Sequence, residues 1–482
     1  MKPFITIKEL QSLLAKKEVS PQEVVSFFQA RIKKYDHTLN SILESFDVDA
    51  HTINSACATN GPLAGIPYVL KDNISQHGRI TSAGSNILKN YRATYNATAH
   101  ERLQRAGGLS LGRANMDEFA MGGSGEFSAY GPTKNPWDTT RISGGSSSGP
   151  AAAVAAGLVP FALGTETGGS VRLPAAFTGL VGMYPTYGHN SRYGVLAFAS
   201  STDQVGPLTK TVYDNALVNS VLSGKDEHDS SSLQIEKKDY TKNLTGKLPQ
   251  GLRIGILQDV AEHEGINEEI RASFQESIKH LESLGATINY VTMPHLKYGN
   301  AVYFVVSRVE AASNLSRYDG SLYGNRNKDA KTLQEMYLNT RHDKFGDEVK
   351  RRILTGNYAL SSKNKGEYYN TATHVRNIIR AEFMEAFKEV DLIVSPTSPT
   401  MPFKIGEVVD DPIAMYLADY FLVPNCIAGT PALSLPCGIS KAGLPMGLQF
   451  MGPRLSESLI YQAAYAFEQS TPFHTQTPAN YE

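Results

Sequence analysis

Three short segments in the first third of the chain carry residue types that together could break an amide bond. Lys71 ends an apolar run, and two glycine-rich loops, 143–149 and 165–170, follow it. A serine hydroxyl attacks a carbonyl when a base takes its proton, and a buried lysine can be that base because burial lowers its pKa. Glycines allow a loop to turn several backbone N–H groups toward one anion. The combination predicts acyl transfer through a covalent ester.

The second loop supplies the candidate nucleophile, Ser170, directly after Gly168 and Gly169. The N–H groups from Thr167 to Ser170 could hold a tetrahedral oxyanion, to which one such donor typically contributes about 3 kcal/mol. The alternative for the Gly-Gly-Ser sequence alone is a tight turn with a serine that caps a helix. A phosphate loop is a third option, but neither glycine-rich loop is followed by the Gly-Lys-Ser/Thr sequence that it needs.

The first loop, 143–149, has the composition of a flexible linker. It lies, however, between Trp137 and an alanine-rich segment inside the expected core, where linkers are unusual. Lys71 has its own alternative, since most lysines are solvated surface cations. Here it follows four apolar residues and precedes an Asp-Asn turn, so burial is plausible. We therefore favour a buried lysine base.

Histidine is the more usual base for a serine nucleophile, and three of the 12 histidines fall in this region: His77, His100 and His189. None has a sequence setting comparable to that of Lys71. A Ser-His-Asp triad is assembled in space, so spacing alone leaves it open. The lysine scheme ranks above it.

Composition excludes several other classes of protein. The 482 residues are 41% hydrophobic and 19% charged with a net charge of −1, which is typical of a globular protein that does not grip nucleic acid by itself. Any RNA contact would more plausibly belong to a partner. The cysteines are Cys57, Cys426 and Cys437, an odd number with no close pair. We expect no disulfide scaffold, no metal site and a reducing compartment.

The beginning of the chain predicts a cytoplasmic protein. Its first residues lead into helix signals and lack the features of a secretory or organellar leader. The apolar stretch 151–163 is broken by Gly157 and Pro160 and is too short to span a bilayer. We expect no membrane association.

The predicted elements alternate between strands and helices. Capping boxes at 6–9 and 20–23 start two packing helices. Strands are predicted at 66–70, 109–112, 161–164, 252–257, 391–396 and 431–436, and helices at 149–157, 268–284 and 376–387. This order predicts an α/β fold with a parallel or mixed sheet. The polar stretch 224–251 predicts a surface excursion or a subdomain seam. We divide the chain into a helical segment (1–60), a catalytic core (61–210) and a C-terminal part of the same domain (211–482).

The reactive residues resemble those of the amidase signature family. Ser146 lies 75 positions after Lys71, and Ser170 lies 24 positions after Ser146, spacings similar to those of the family. The resemblance implies that Ser170 is the nucleophile, Ser146 the proton shuttle and Lys71 the base. It also implies a cis peptide bond between Gly145 and Ser146, and a large mixed β-sheet covered by helices on both faces.

Further motifs resemble one branch of that family, the glutaminase subunits of tRNA-dependent amidotransferases. They lie at 115–122, 191–194, 198–201, 314–320 and 345–352. The resemblance implies that Tyr303, Arg352 and Asp419 bind glutamine. A guanidinium can clamp the α-carboxylate and a carboxylate can pair with the α-ammonium. The alternative for Arg352 is a solvated helix face, since it ends a Lys-Arg-Arg run.

The resemblance also implies partners, the B and C subunits of such an amidotransferase. Ammonia would pass to the B subunit, which activates mischarged Glu-tRNA(Gln) or Asp-tRNA(Asn) with ATP and Mg²⁺, and the small C subunit would clamp the pair. This chain would hold no cofactor. The preference between the two tRNAs stays open, because the tRNA is bound elsewhere. A stand-alone amidase acting on a small amide is the alternative function. A non-catalytic scaffold is disfavoured, since all three reactive residues are present.

Several positions depart from the usual pattern of the family. They are Ser148, Pro150, Leu173, Gly125, Phe127 and Glu166. None removes a reactive atom. Positions 125 and 127 are expected near the substrate pocket, so the departures bear on fine specificity more than on reaction type.

Overall fold

The computed structural model of the chain describes residues 1–258, 265–322, 324–409 and 411–482. Its helices are α1 (Ile7–Ala15), α2 (Pro21–Leu39), α3 (Ala50–Ala58), α4 (Thr98–Arg105), α5 (Ser148–Ala155), α6 (Arg172–Thr178), α7 (Val212–Leu222), α8 (Glu268–Ser283), α9 (Gly299–Asn314), α10 (Leu333–Lys344), α11 (Asp347–Leu360), α12 (Thr371–Glu389), α13 (Pro412–Leu417), α14 (Val423–Ala428) and α15 (Glu457–Gln469). Both predicted capping boxes are present, at the starts of α1 and α2. They satisfy N–H groups that a helix start leaves without intrahelical partners.

The strands form one mixed sheet. They are β1 (Ile42–Ser45), β2 (Pro67–Lys71), β3 (Leu109–Ala114), β4 (Phe161–Glu166), β5 (Val181–Tyr184), β6 (Gln204–Thr209), β7 (Arg253–Leu257), β8 (Thr287–Val291), β9 (Leu392–Pro396), β10 (Ala432–Ile439) and β11 (Pro445–Met451). The order across the sheet is β1-β3-β2-β4-β6-β5-β10-β11-β9-β7-β8. The predicted α/β class and the mixed, helix-covered sheet are confirmed.

Two blocks of parallel strands are joined by antiparallel ones. β2 runs parallel to both β3 and β4, and β7 runs parallel to both β8 and β9. The remaining pairs, from β4 through β6, β5, β10 and β11 to β9, are antiparallel. Parallel neighbours end at the same edge of a sheet. Lys71, at the end of β2, therefore lies beside the 165–170 loop that begins at the end of β4.

Two predictions about the chain's organisation need correction or refinement. The segment 1–60 is not only helical, because β1 pairs antiparallel with β3 at the edge of the sheet. Its four residues are too few to show an alternating pattern. The polar stretch 224–251 contains no helix or strand, and β7 after it belongs to the same sheet as the strands before it. That stretch is an excursion over the surface, not a seam.

No helix among the described residues combines the length and the apolar character needed to cross a membrane.

Candidate active site

Lys71 is completely buried and is bound by hydrogen bonds to the first glycine-rich loop. Its Nζ lies 2.8 Å from Ser146 Oγ, 2.9 Å from Ser147 Oγ and 3.0 Å from the carbonyl oxygen of Thr165. The peptide bond between Gly145 and Ser146 is cis, as the resemblance implied. The loop 143–149 is buried throughout, so it is not a flexible linker. Strand β2 thus brings an amine directly against a serine hydroxyl that is 75 residues distant in sequence.

Burial lowers the pKa of Lys71 to about 7, against the opposing charges of Asp117, Asp203 and Glu166. A charged amine loses hydration when it is buried, whereas nearby carboxylates favour the charged form. At this balance a large fraction of the amine is neutral near neutral pH. Lys71 can therefore accept a proton from Ser146.

Asp117 supports the loop that carries Ser146. Its carboxylate accepts hydrogen bonds from the N–H groups of Gly125 (3.1 Å) and Phe127 (3.0 Å), and its own N–H donates to the carbonyl oxygen of Ser146 (3.2 Å). A Cβ placed on Gly145 would lie 2.0 Å from Asp117 Oδ2, so only glycine fits there. Sequence reasoning missed Asp117. The available signal was its place directly after β3, whose end lies beside that of β2.

The second loop presents its backbone as an anion site. Within the described parts of the chain, none of the N–H groups from Thr167 to Ser170 donates a hydrogen bond to a protein atom. Gly169 has a φ of +132°, which L side chains rarely adopt. Four adjacent donors without a protein partner in the described chain, at a loop with a positive φ, are available to a negatively charged oxygen. These are the donors that the sequence predicted for an oxyanion.

Ser170 itself is buried, with 7% of its surface exposed. Its carbonyl oxygen accepts a hydrogen bond of 3.2 Å from the N–H of Ser147, which joins the two loops. Among the residues that the structure describes, its hydroxyl is not hydrogen-bonded to that of Ser146 or to any other protein group. The structure thus brings Lys71 and Ser146 into contact, and places Ser170 in the adjoining loop with a free hydroxyl.

A buried ion pair joins Glu166 and Arg172, which flank the loop that carries Ser170. Glu166 accepts hydrogen bonds of 3.0 Å from the N–H groups of both Val171 and Arg172, and it pairs with the Arg172 side chain. Arg172 also donates to Asn425 Oδ1 (2.8 Å) and to the carbonyl oxygen of Leu422 (2.8 Å). The network links the nucleophile loop to helix α14. Glu166, noted as a departure in the sequence, therefore retains a carboxylate function.

Two of the predicted glutamine-binding residues lie against the nucleophile loop. A Cβ placed on Gly168 would lie 2.6 Å from Tyr303 Cζ, and one placed on Gly169 would lie 2.6 Å from Asp419 Oδ1. That carboxylate oxygen is sealed from solvent and has no hydrogen-bond partner among the described residues. Burial, reinforced by the charge of Glu166, raises the pKa of Asp419 well above its usual range. This favours the neutral carboxyl in the free protein, and a cationic ligand beside the oxygen would favour the ionised carboxylate and pair with it.

Arg352 does not lie on a solvated helix face. It is buried on α11, its Nε donates to Glu348 Oε1 at 2.7 Å, and its guanidinium lies 5.5 Å from the ring centroid of Phe198 and 5.7 Å from that of Tyr416. Arg351, beside it in sequence, has 47% of its side chain exposed. Burial alone would lower the pKa of Arg352, but the Glu348 carboxylate outweighs burial and raises it. Arg352 remains a cation beside the ring of Tyr416.

The histidines of the motif region have other partners. His100 lies 2.9 Å from the hydroxyl of Tyr68, and His189 lies 2.6 Å from that of Tyr240. His77 is on the surface. In the described residues none of the three hydrogen-bonds to Ser146 or Ser170. The geometry supports the lysine scheme over a Ser-His-Asp triad.

Residues 23–461 match the sequence model of the amidase family. The chain belongs to this family. It is 47% identical over 474 residues to the A subunit of glutamyl-tRNA(Gln) amidotransferase from Halothermothrix orenii, with 98% of each chain covered. It is 38% identical to the crystal structure of the A subunit of glutamyl-tRNA(Gln) amidotransferase from Thermotoga maritima, with a TM-score of 0.83 over 97% of this chain and 95% of that one. The peptide amidase of Stenotrophomonas maltophilia is more distant, at 29% identity and a TM-score of 0.79 over 97% and 98% of the two chains.

Two of the departures from the usual amidase pattern meet in space. Gly125 has a φ of +85°, and a Cβ added to it would lie 2.6 Å from Ser148 Cβ. The side chain of Ser148 thus fills space that a larger residue at 125 would need, and its hydroxyl lies 3.2 Å from Thr133 Oγ1. Pro150 and Leu173 are buried as well. These residues contribute to the packing around the loops, and the hydrogen bonds of Lys71 are formed with them in place.

Proposed function

We propose that this amidase is the glutamine-hydrolysing subunit of a tRNA-dependent amidotransferase. Near-full-length similarity to proteins named as A subunits of glutamyl-tRNA(Gln) amidotransferase supports the assignment. The observation that carries it is the unpartnered carboxylate oxygen of Asp419, which lies against the nucleophile loop as Tyr303 does. The buried cation Arg352 is close enough to favour the ionised form of Asp419. An α-amino acid supplies a counter-charge to both groups, whereas a simple amide supplies neither.

The reaction begins with proton transfer. Neutral Lys71 takes the proton of the Ser146 hydroxyl, and Ser146 takes that of Ser170 as the substrate closes the gap between the two hydroxyls. Ser170 Oγ attacks the side-chain amide carbon of glutamine, and the N–H groups of Thr167, Gly168 and Gly169 hold the resulting oxyanion. The proton returns by the same route to the leaving nitrogen, and ammonia departs. Water then hydrolyses the γ-glutamyl ester, which gives glutamate and free Ser170.

Recognition uses the two buried charges. Arg352 binds the α-carboxylate of glutamine with the guanidinium nitrogens that Glu348 leaves free. Asp419 accepts the α-ammonium, and the ring of Tyr303 lies beside it against the same loop. Both contacts are charge-assisted hydrogen bonds, which are about twice as strong as neutral ones.

The released ammonia is used by a partner subunit. We infer a B subunit that uses ATP and Mg²⁺ to activate Glu-tRNA(Gln) or Asp-tRNA(Asn), and a C subunit that holds the assembly together. This chain itself holds no cofactor in the proposed reaction. The setting of that process is the cytoplasm.

Ammonia release from L-glutamine tests the proposal. The chain is assayed alone and with candidate B and C subunits, ATP and Glu-tRNA(Gln), with the Ser170→Ala chain as control. We expect release that rises sharply in the full mixture, forms Gln-tRNA(Gln) and disappears in the control. Release from small amides by the lone chain, indifferent to partners, would instead establish a stand-alone amidase.

A further inference from the structure

A second buried arginine, Arg308, lies close to the proposed glutamine-binding residues Tyr303 and Arg352. It is carried by α9, the helix that also carries Tyr303, and 2% of its surface is exposed. Its guanidinium carbon lies 3.3 Å from the ring centroid of Phe304 and 5.0 Å from that of Tyr416. The guanidinium of Arg352 faces the same Tyr416 ring. The two cations are thus neighbours around one aromatic side chain.

Arg308 lacks a carboxylate partner among the described residues. The single hydrogen bond of its side chain there is donated by Nη1 to the carbonyl oxygen of Phe304, at 3.0 Å. The buried carboxylate of this cluster, Glu348, already accepts from Arg352, Arg351 and Tyr416. A buried cation without a counter-charge is unfavourable unless a ligand supplies one. Within the described chain, the cluster therefore holds three arginines, Arg308, Arg351 and Arg352, and one carboxylate, which leaves an excess of positive charge.

The remaining donors of Arg308 are unpaired. Its Nε and Nη2 have no protein partner in the described residues. Burial and the neighbouring Arg352 lower the pKa of Arg308 to about 10, so the group stays charged near neutral pH. Donors that are charged and unpaired inside a buried cluster are suited to a carboxylate.

We propose that Arg308 is a second carboxylate-binding residue of this pocket, which acts with Arg352 on the α-carboxylate of the substrate. It makes the enzyme select amides with a free α-carboxylate over those in which the carboxylate is esterified. The inference rests on the proposed function, with glutamine as substrate. It adds a specificity determinant that neither the sequence nor the position of Arg352 indicated.

The test compares two substrates in Arg308→Gln. kcat and KM are measured for L-glutamine and for L-glutamine α-methyl ester, on the full chain with its partner subunits. Loss of a charge-assisted hydrogen bond is expected to raise KM for glutamine by about 10- to 100-fold. We expect kcat to stay within about threefold and KM for the ester to change little, so that discrimination between the two collapses. A packing defect would instead raise KM for both substrates by similar factors.

Arg351→Gln is the matched control. It removes a cation that shares Glu348 but has its side chain half exposed, and it should leave the glutamine-to-ester ratio unchanged. If Arg308→Gln does not fold, as judged by thermal unfolding, Arg308→Lys replaces it. That variant keeps the charge and loses the fork of donors, so we expect an intermediate rise in KM for glutamine.

Each outcome decides the matter. A selective rise in KM for glutamine supports the inference. An equal rise in KM for glutamine and its ester would overturn the inference, and so would an unchanged KM in Arg308→Gln and Arg308→Lys. The proposed function would stand in both cases. If the wild-type assembly fails to release ammonia from glutamine, the proposed function fails, and the role of Arg308 fails with it.

Discussion

The two sides of this site differ in how fully the protein satisfies its own polar groups. On the reaction side, Lys71 has three hydrogen-bond partners, and Asp117 accepts from two backbone N–H groups. On the recognition side, Asp419 has a sealed oxygen without a partner, and Arg308 has no paired carboxylate within the described residues. The groups that hold the proposed base are therefore hydrogen-bonded in the folded chain, whereas the proposed recognition residues keep unpaired polar groups.

The difference follows from what each side must do. A base must hold its pKa and its distance to the reacting hydroxyl before substrate arrives, so its surroundings are fixed by the fold. A binding pocket gains affinity from charges that folding leaves unmatched, because the ligand then removes the penalty of burying them. Substitutions on the reaction side should therefore lower kcat, and those on the recognition side should raise KM.

The largest effect is expected from Ser170→Ala. It removes the nucleophile and leaves the fold intact, so kcat for glutamine hydrolysis should fall by more than about 10⁴-fold. Ser148→Ala is the control, since its hydroxyl contacts Thr133 away from the base. Ammonia assays and thermal unfolding of both variants check this. Turnover close to that of the wild type in Ser170→Ala would remove the nucleophile assignment.

On the recognition side, Arg352→Gln and Asp419→Asn should each lower kcat/KM for glutamine by about 10²- to 10³-fold, because each leaves an ionic group of the bound substrate unpaired. Steady-state kinetics should place most of the loss in KM. Asp347→Asn, at an exposed carboxylate on the same helix as Arg352, is the control. If either loss lay entirely in kcat, the division between the two sides would be wrong.

The pH dependence of kcat/KM tests the role of Lys71 as the base. Lys71 must be neutral to act as base and its pKa is about 7, so kcat/KM should fall about tenfold for each pH unit below that value. Asp117→Asn removes a carboxylate that raises the pKa of Lys71, so the acidic limb should move to lower pH. Asp138→Asn, at a surface carboxylate, should leave the limb in place. If the acidic limb of kcat/KM in Asp117→Asn lay at the same pH as in the wild type, or at a higher pH, the proposed effect of Asp117 on the pKa of Lys71 would be wrong.

The smallest effect is expected at the hydrogen bond between Arg172 and Asn425, which joins the nucleophile loop to α14. Asn425→Ala removes an acceptor of the buried Arg172, which should lower the free energy of unfolding by about 1–3 kcal/mol. Activity of the folded enzyme should change only a few-fold. Asn425→Asp keeps an acceptor and serves as the comparison. Urea unfolding measures the difference, and equal stability of wild type and Asn425→Ala would show that the link does not stabilise the fold.

The reaction side was largely predictable because its signals are local. A lysine at the end of an apolar run predicted burial and a strand end, and both are present. The donor nest that the glycines predicted stays a prediction, and its N–H groups have no protein partner within the described residues. Asp117 was missed because its role depends on contacts with Gly125 and Gly145, which lie in other loops. Strand β1 was missed because its pairing with β3, not its own pattern, makes it a strand.

By itself, the sequence determined the reactive residue types, the two capped helices, six of the eleven strands among the described residues and the α/β class, since each follows from neighbours within a few positions. Only the tertiary structure decided which charges remain unmatched. Arg351 and Arg352 are adjacent in sequence and both pair with Glu348, yet the first is half exposed and the second is buried. Arg308 is buried without a carboxylate partner among the described residues. Burial and pairing depend on packing between α9, α11 and α13, and the free energy of a charge is set by those surroundings.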